Sequence, residues 1–79
     1  MAESFEILIA SDDEHERVVA EIYIDDKFVA LVSQDQGIDQ AVIEFPGTAL
    51  DENQILRRVE VSDFRRAIDT ATKRLAGEA

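Results

Sequence analysis

RVVAEIYIDDKFVALVSQDQGIDQAVIEFPG, residues 17–47, decides the fold. Three apolar, β-branched runs stand in it, at 18–24, 27–33 and 41–45, separated by polar breaks. Such runs read as strands, because branched and aromatic side chains suit a pleated, half-buried surface. Only Asp25 and Asp26 separate the first two, which predicts a tight two-residue hairpin, although neither position offers the glycine that primed turns favour. That turn pairs Ile24 with Lys27 and Ile22 with Val29. One face then carries Val18, Ala20, Ile22, Ile24, Val29 and Leu31, and the other Val19, Glu21, Tyr23, Phe28, Ala30 and Val32. A three-residue turn would slide the second strand by one and exchange its faces. Gly37 lies in a polar loop at 34–40, and Pro46-Gly47 ends the third strand, since proline cannot donate to a ladder.

Outward from this meander, Phe5, Ile7 and Ile9 alternate with Glu6, Leu8 and Ala10, the pattern of a strand with one strongly apolar face. Residues 11–17, SDDEHER, gather four carboxylates around the sole histidine and read as an exposed turn. Residues 48–54 read as a connection. Arg57, Val59 and Val61 alternate weakly, which suggests a fifth strand at 56–61, placed at an edge because charged residues blunt edges. Beyond it Phe64, Ala67, Ile68, Ala71 and Leu75 fall on one helical stripe. Ser62 suits the N-cap, Asp63 the first turn, Lys73 and Arg74 the last, and Gly77 the stop; Asp69 and Lys73 stand at i,i+4. The expectation is one α+β domain over 1–79: an antiparallel meander of four to five strands at 5–61, with one C-terminal helix, 62–76, packed on one face.

With 79 residues, such a chain buries roughly 60–65% of its unfolded surface. It contains no cysteine, so neither disulfides nor thiolate metal sites are available. No apolar run approaches the ~20 residues of a bilayer span. The opening MAESFEIL lacks the basic and apolar regions of a signal peptide, and the chain is read as cytoplasmic. Eighteen acids against eight bases give a net charge of −10. Residues 1–56 hold fourteen acids and two bases, net −12, and residues 57–79 hold four acids and six bases, net +2. The acidic field repels nucleic acids and anionic membranes and attracts basic partners; equally, it serves solubility.

Few constellations for chemistry remain. Asp12, Asp13, Glu14, His15 and Glu16 invite a metal reading, but calcium-loop spacing is absent and adjacent carboxylates tend to point apart, so neither metal nor cofactor is expected. A triad would need His15 with Ser4, Ser11, Ser33 or Ser62, none in an elbow motif. Glu21 and Glu44 could share a face, as chance allows on so acidic a chain. Glycines are scattered, with no phosphate loop. Arg57, Arg58, Arg65, Arg66, Lys73 and Arg74 are the only candidates for a nucleic-acid stripe, and are read instead as a solvated face or as partners of the acidic region. The chain is thus read as non-enzymatic.

One helix covers one sheet face. The second apolar face, with Val19, Tyr23, Phe28 and Val32, therefore calls for a partner or for a loop folded over it. Residues expected to meet a partner are Asp12, Asp13, Glu14, Glu16, Asp25 and Asp26 in the turns, with Glu21, Tyr23, Phe28 and Glu44 on the strands; Asp51-Glu52 adds further charge.

AEIYIDDKFVALVSQ (20–34), VIEFPG (42–47) and the closing SDFRRAIDTATKRL (62–75) resemble the small acidic bacterial immunity-type proteins that neutralise toxins. The resemblance implies direct binding to a basic toxin domain and blocking of its active site. The alternative is a small scaffold or regulatory protein, most simply a homodimer.

Overall fold

The computed structural model describes residues 5–47 and 52–78. Its frame is a four-stranded antiparallel sheet in the order β1 (Phe5–Ala10), β2 (Val19–Ile24), β3 (Lys27–Ser33) and β4 (Val42–Glu44). A helix, α1 (Val61–Glu78), crosses one face. The predicted α+β meander with its C-terminal helix is the observed fold.

The hairpin between β2 and β3 turns on Asp25 and Asp26, both left-handed, with φ of 54° and 66°. This is the two-residue turn with both central residues at positive φ, whose twist matches that of the flanking strands. Ile24 pairs with Lys27, as expected. Further along, the predicted register fails. Tyr23 pairs with Phe28 but Ile22 with Ala30, not Val29, so Val29 is a bulged residue. Beyond the bulge β3 turns over: Ala30 and Val32 share the face of Ile22 and Ala20, while Leu31 lies opposite Glu21 on the other. Val29 and Ala30, though consecutive, are both buried in the same core.

That core lies between the sheet and α1. Ile7, Ala20, Ile22, Ile24, Ala30 and Val32 meet Ala67, Ala71 and Leu75. The two alanines and Leu75 are fully buried, so small side chains let the helix sit close to β1 and β2. Phe64 and Ile68, also on the predicted stripe, are only half-buried at its margins. Arg74 ties the helix to the outer strand, its guanidinium donating to the Ile7 carbonyl at 2.6 Å.

Several expectations for the C-terminal part are corrected. No strand forms at 56–61; Ile55 alone makes a parallel bridge with Phe28, and the Leu56 N–H bonds the Phe28 carbonyl at 3.0 Å. β4 pairs only with residues 31–33 of β3, so this segment occupies the rest of the β3 edge. A 3-10 helix at Glu52–Gln54 leads into it, and residues 48–51, including Asp51, fall outside the described residues. Ser62 is not the cap: the first helical bond runs from Phe64 N–H to the Glu60 carbonyl, placing Ser62 inside the first turn. Gly77 does not stop the helix, which continues to Glu78 and leaves no base in its last turn. Asp69 and Lys73 form no ion pair, whereas Asp63 pairs with Arg66 at 2.5 Å. The loop at 34–40 contains a short 3-10 helix, Ile38–Gln40, entered through Gly37 at φ 103°, a conformation that disfavours other residues.

Two stability outcomes follow from this packing. Leu75→Ala, at a fully buried position, should cost about 3–4 kcal/mol, and half-buried Ile68→Ala distinctly less. Asp25→Asn combined with Asp26→Gly should stabilise the hairpin by ~0.5–1 kcal/mol, because left-handed backbone then costs little and two carboxylates are removed. Urea unfolding midpoints check both; an unchanged Leu75→Ala midpoint would contradict the placement of α1.

Candidate functional site

The face turned away from α1 carries the chemistry. Cross-strand pairing assigns it Glu6 opposite Tyr23, Leu8 opposite Glu21, and Leu31 opposite both Glu21 and Glu44. Phe28, opposite Tyr23 just short of the bulge, joins them; the two rings meet edge-on with centroids 5.6 Å apart. The Tyr23 hydroxyl donates to Glu21 at 2.9 Å. Partial burial, and secondarily the Glu21 carboxylate, raise the Tyr23 pKa above its ordinary value.

Residues 11–18 fold over this face instead of projecting from the end of the sheet. The loop is built around Asp12. One carboxylate oxygen accepts from the backbone N–H of Glu14 at 3.0 Å, the N–H of His15 at 2.9 Å and the His15 Nδ1 at 2.8 Å. Short polar side chains commonly organise turns by bonding backbone donors two or three residues on. From there the imidazole reaches across to β4, where Nε2 donates to Glu44 at 2.8 Å. Its side chain is 8% exposed. Asp35, just past β3, holds the far end of the loop, accepting from the N–H groups of Glu16 and Arg17 at 3.1 and 3.2 Å. Below it Gln34 is buried and donates its amide to the Val18 carbonyl at 3.3 Å.

With a carboxylate on each nitrogen, the ring donates from both only when doubly protonated. The Glu44 bond, then the Asp12 bond, raise the His15 pKa to about 9. The His15 bond in turn lowers the pKa of Asp12 and of Glu44, and Glu44 is lowered further by the Ser33 hydroxyl. The imidazolium thus has no free lone pair with which to take a proton or bind a metal. Both imidazole nitrogens face carboxylates and, among the described residues, neither faces a serine hydroxyl, an order unlike that of a nucleophilic triad. Among the described residues, no group of three His, Asp or Glu side chains is arranged to hold a metal ion.

The expected partner residues fall into two sets. Asp12, Asp13, Glu14, Phe28 and Glu44 line one shallow cavity of about 500 Å³ with His15 and Leu31. Glu21 and Tyr23 extend the same face along β2. Asp25 and Asp26 stand apart at the hairpin tip, at the opposite end of β2 from the acidic loop. Val19 and Val32, expected on the open face, are both buried, Val32 on the helix side. Three contributors were missed by sequence reasoning. Glu6 could have been found from the β1 alternation, once β1 is paired with β2. Asp35 and the His15–Glu44 link depend on contacts 18 to 29 residues apart, for which the sequence carries no local signal. No helix among the described residues is long and apolar enough to cross a membrane. No protein family, curated protein or solved structure matches the chain.

Stability should depend on pH through this clamp. The His15 pKa is higher folded, about 9, than unfolded, 6.5, so its contribution is complete below pH 6.5 and lost as pH rises through 9. Asp12 and Glu44 have lowered pKa values, so their contributions hold above the unfolded values of 3.8 and 4.5 and are lost in acid. The loop should be firmest between these limits. Urea midpoints measured from pH 6 to 10 should fall by the equivalent of about 1–2 kcal/mol after solvent screening, and His15→Gln should flatten that decline. An equal decline in the variant would mean that His15 does not clamp the loop.

Proposed function

We propose that this chain is a non-catalytic binding protein that recognises a basic protein through the sheet face opposite α1. The observation that supports this most is the composition of that face: half-buried Tyr23, Phe28 and Leu31, with Leu8 48% exposed, ringed by Glu6, Glu21, Glu44 and the carboxylates of the 11–17 loop. An aromatic and aliphatic centre within a charged rim is the anatomy of a protein interface. The rim here has one sign, which selects a partner of the other.

Self-pairing through the same face is disfavoured, because it would bring two sets of carboxylates together. A protein of opposite charge satisfies both the rim and the apolar centre. The resemblance to acidic immunity-type proteins gives that partner a class, a basic toxin domain whose active site the acidic face would cover. Cytoplasmic residence fits neutralisation inside the producing cell.

The test is kinetic, on the complex with the product of a neighbouring gene that carries a basic domain. Association should slow by ~10–10³-fold between low and high salt, mostly in the on-rate. Asp13→Lys with Glu14→Lys should slow association and leave the fold intact, since both side chains are exposed. Asp12 is unsuited to this test because it organises the loop. Tyr23→Ala should instead raise the off-rate. A salt-independent on-rate, or full binding by the charge-reversed variant, would refute the reading.

A further inference from the structure

A second concavity adjoins the acidic one across Phe45 and Pro46, which line both, and differs from it in chemistry. It is a groove of about 520 Å³ between the 55–61 segment, the end of β4 and the start of α1. Val29 and Ile55, each 5% exposed, line it at depth, while Phe45 at 67% and Val61 at 64% stand open at the surface. Phe45 stacks on Phe64 with ring centroids 6.5 Å apart and an interplanar angle of 29°. Among the described lining residues the polar side chains are two guanidiniums, Arg57 and Arg65.

Its size lies within the range of small-molecule sites, and so does its make-up of mainly apolar walls with a few convergent polar groups. The charge is the informative part. On a chain of net −10, the described residues lining this groove include no carboxylate, and because Arg57 has an interaction of its own, Arg65 is the cation that matters. Nearby bases are otherwise engaged: Arg66 with Asp63, and Arg74 with the Ile7 carbonyl. Arg65 is exposed and makes no hydrogen bond or ion pair among the described residues. Exposed apolar side chains on a small chain mark an interaction site more readily than a core defect.

We propose that this groove binds a small amphipathic carboxylate, with its hydrocarbon part against Phe45, Val59, Val61 and Phe64 and its carboxylate at Arg65. A guanidinium offers a planar, two-pronged donor set that matches a carboxylate. The apolar walls supply most of the affinity and the charge supplies the choice of headgroup. The groove borders the acidic cavity at Phe45 and Pro46, but Val59, Val61, Phe64 and Arg65 belong to it and not to that cavity, so shifts at these four residues test it separately from the proposed partner.

The experiment is a titration of the full chain with octanoate, followed by amide chemical shifts, with octan-1-ol as the uncharged control. Octanoate should give saturable shifts at Phe45, Val59, Val61 and Phe64, and should bind more tightly than octan-1-ol. Arg65→Glu, an exposed change verified as folded by circular dichroism, should weaken octanoate by about three- to tenfold and leave octan-1-ol nearly unchanged. Equal binding of the acid and the alcohol would overturn the carboxylate assignment. Absence of saturable shifts at these residues would overturn the site. A dimer in sedimentation whose groove residues are already protected would overturn it too, by showing that a second copy occupies the groove.

Discussion

A single bulged residue governs how this chain divides its apolar side chains between two surfaces. Without Val29 inserted opposite Ile22, strict alternation would send Leu31 under α1 and turn Ala30 and Val32 outward. With it, the helix meets Ala30 and Val32, flat enough for the Ala67, Ala71 and Leu75 stripe to approach, and Leu31 stays on the other face beside Phe28 and Tyr23. Both halves of the molecule follow from that switch. The core is close-packed because its β3 contribution is small, and the opposite face keeps an apolar centre because its β3 contribution is large.

The histidine clamp answers a different constraint. Seven polar residues between β1 and β2 contain too little apolar surface to pack by themselves, and their carboxylates repel. A protonated imidazole between Asp12 and Glu44 supplies a positive charge that draws this loop onto the sheet. It turns three ionisable groups into a hydrogen-bonded unit and leaves Asp13 and Glu14 exposed. Order in the acidic loop therefore derives from electrostatics and hydrogen bonding, whereas order in the rest of the chain derives from burial.

The sequence made legible whatever depends on near neighbours. Strand periodicity located β1 to β4, the Asp25-Asp26 spacing located the hairpin, and the 3.6-residue stripe located α1 to within two residues at either end. What escaped was set by tertiary context. A bulge has no signature when the residues around it are uniformly Val, Ala and Leu, so the face assignment of 29–32 could not be read. Residues 56–61 alternate like a strand, yet the β3 edge was already shared between β4 and Ile55, and no neighbour remained for them to pair with. Glu60 capped the helix with its backbone alone, making the side chain of Ser62 uninformative. At the candidate site, the acidic residues were visible as composition, but their gathering onto one face rests on the His15–Glu44 contact across 29 positions.

The divided outer margin of β3 bears on how the protein behaves when crowded. An open sheet exposes two rows of unpaired main-chain groups, which can recruit further chains into fibrils. Here neither border presents a long uninterrupted row. On one side, a three-residue strand and a single bridge share the margin, with the connecting chain between them. On the other, the guanidinium of Arg74 occupies a main-chain acceptor of β1 and sets a fixed positive charge there. The placement of a few residues thus interrupts both borders among the described residues, which disfavours templated growth.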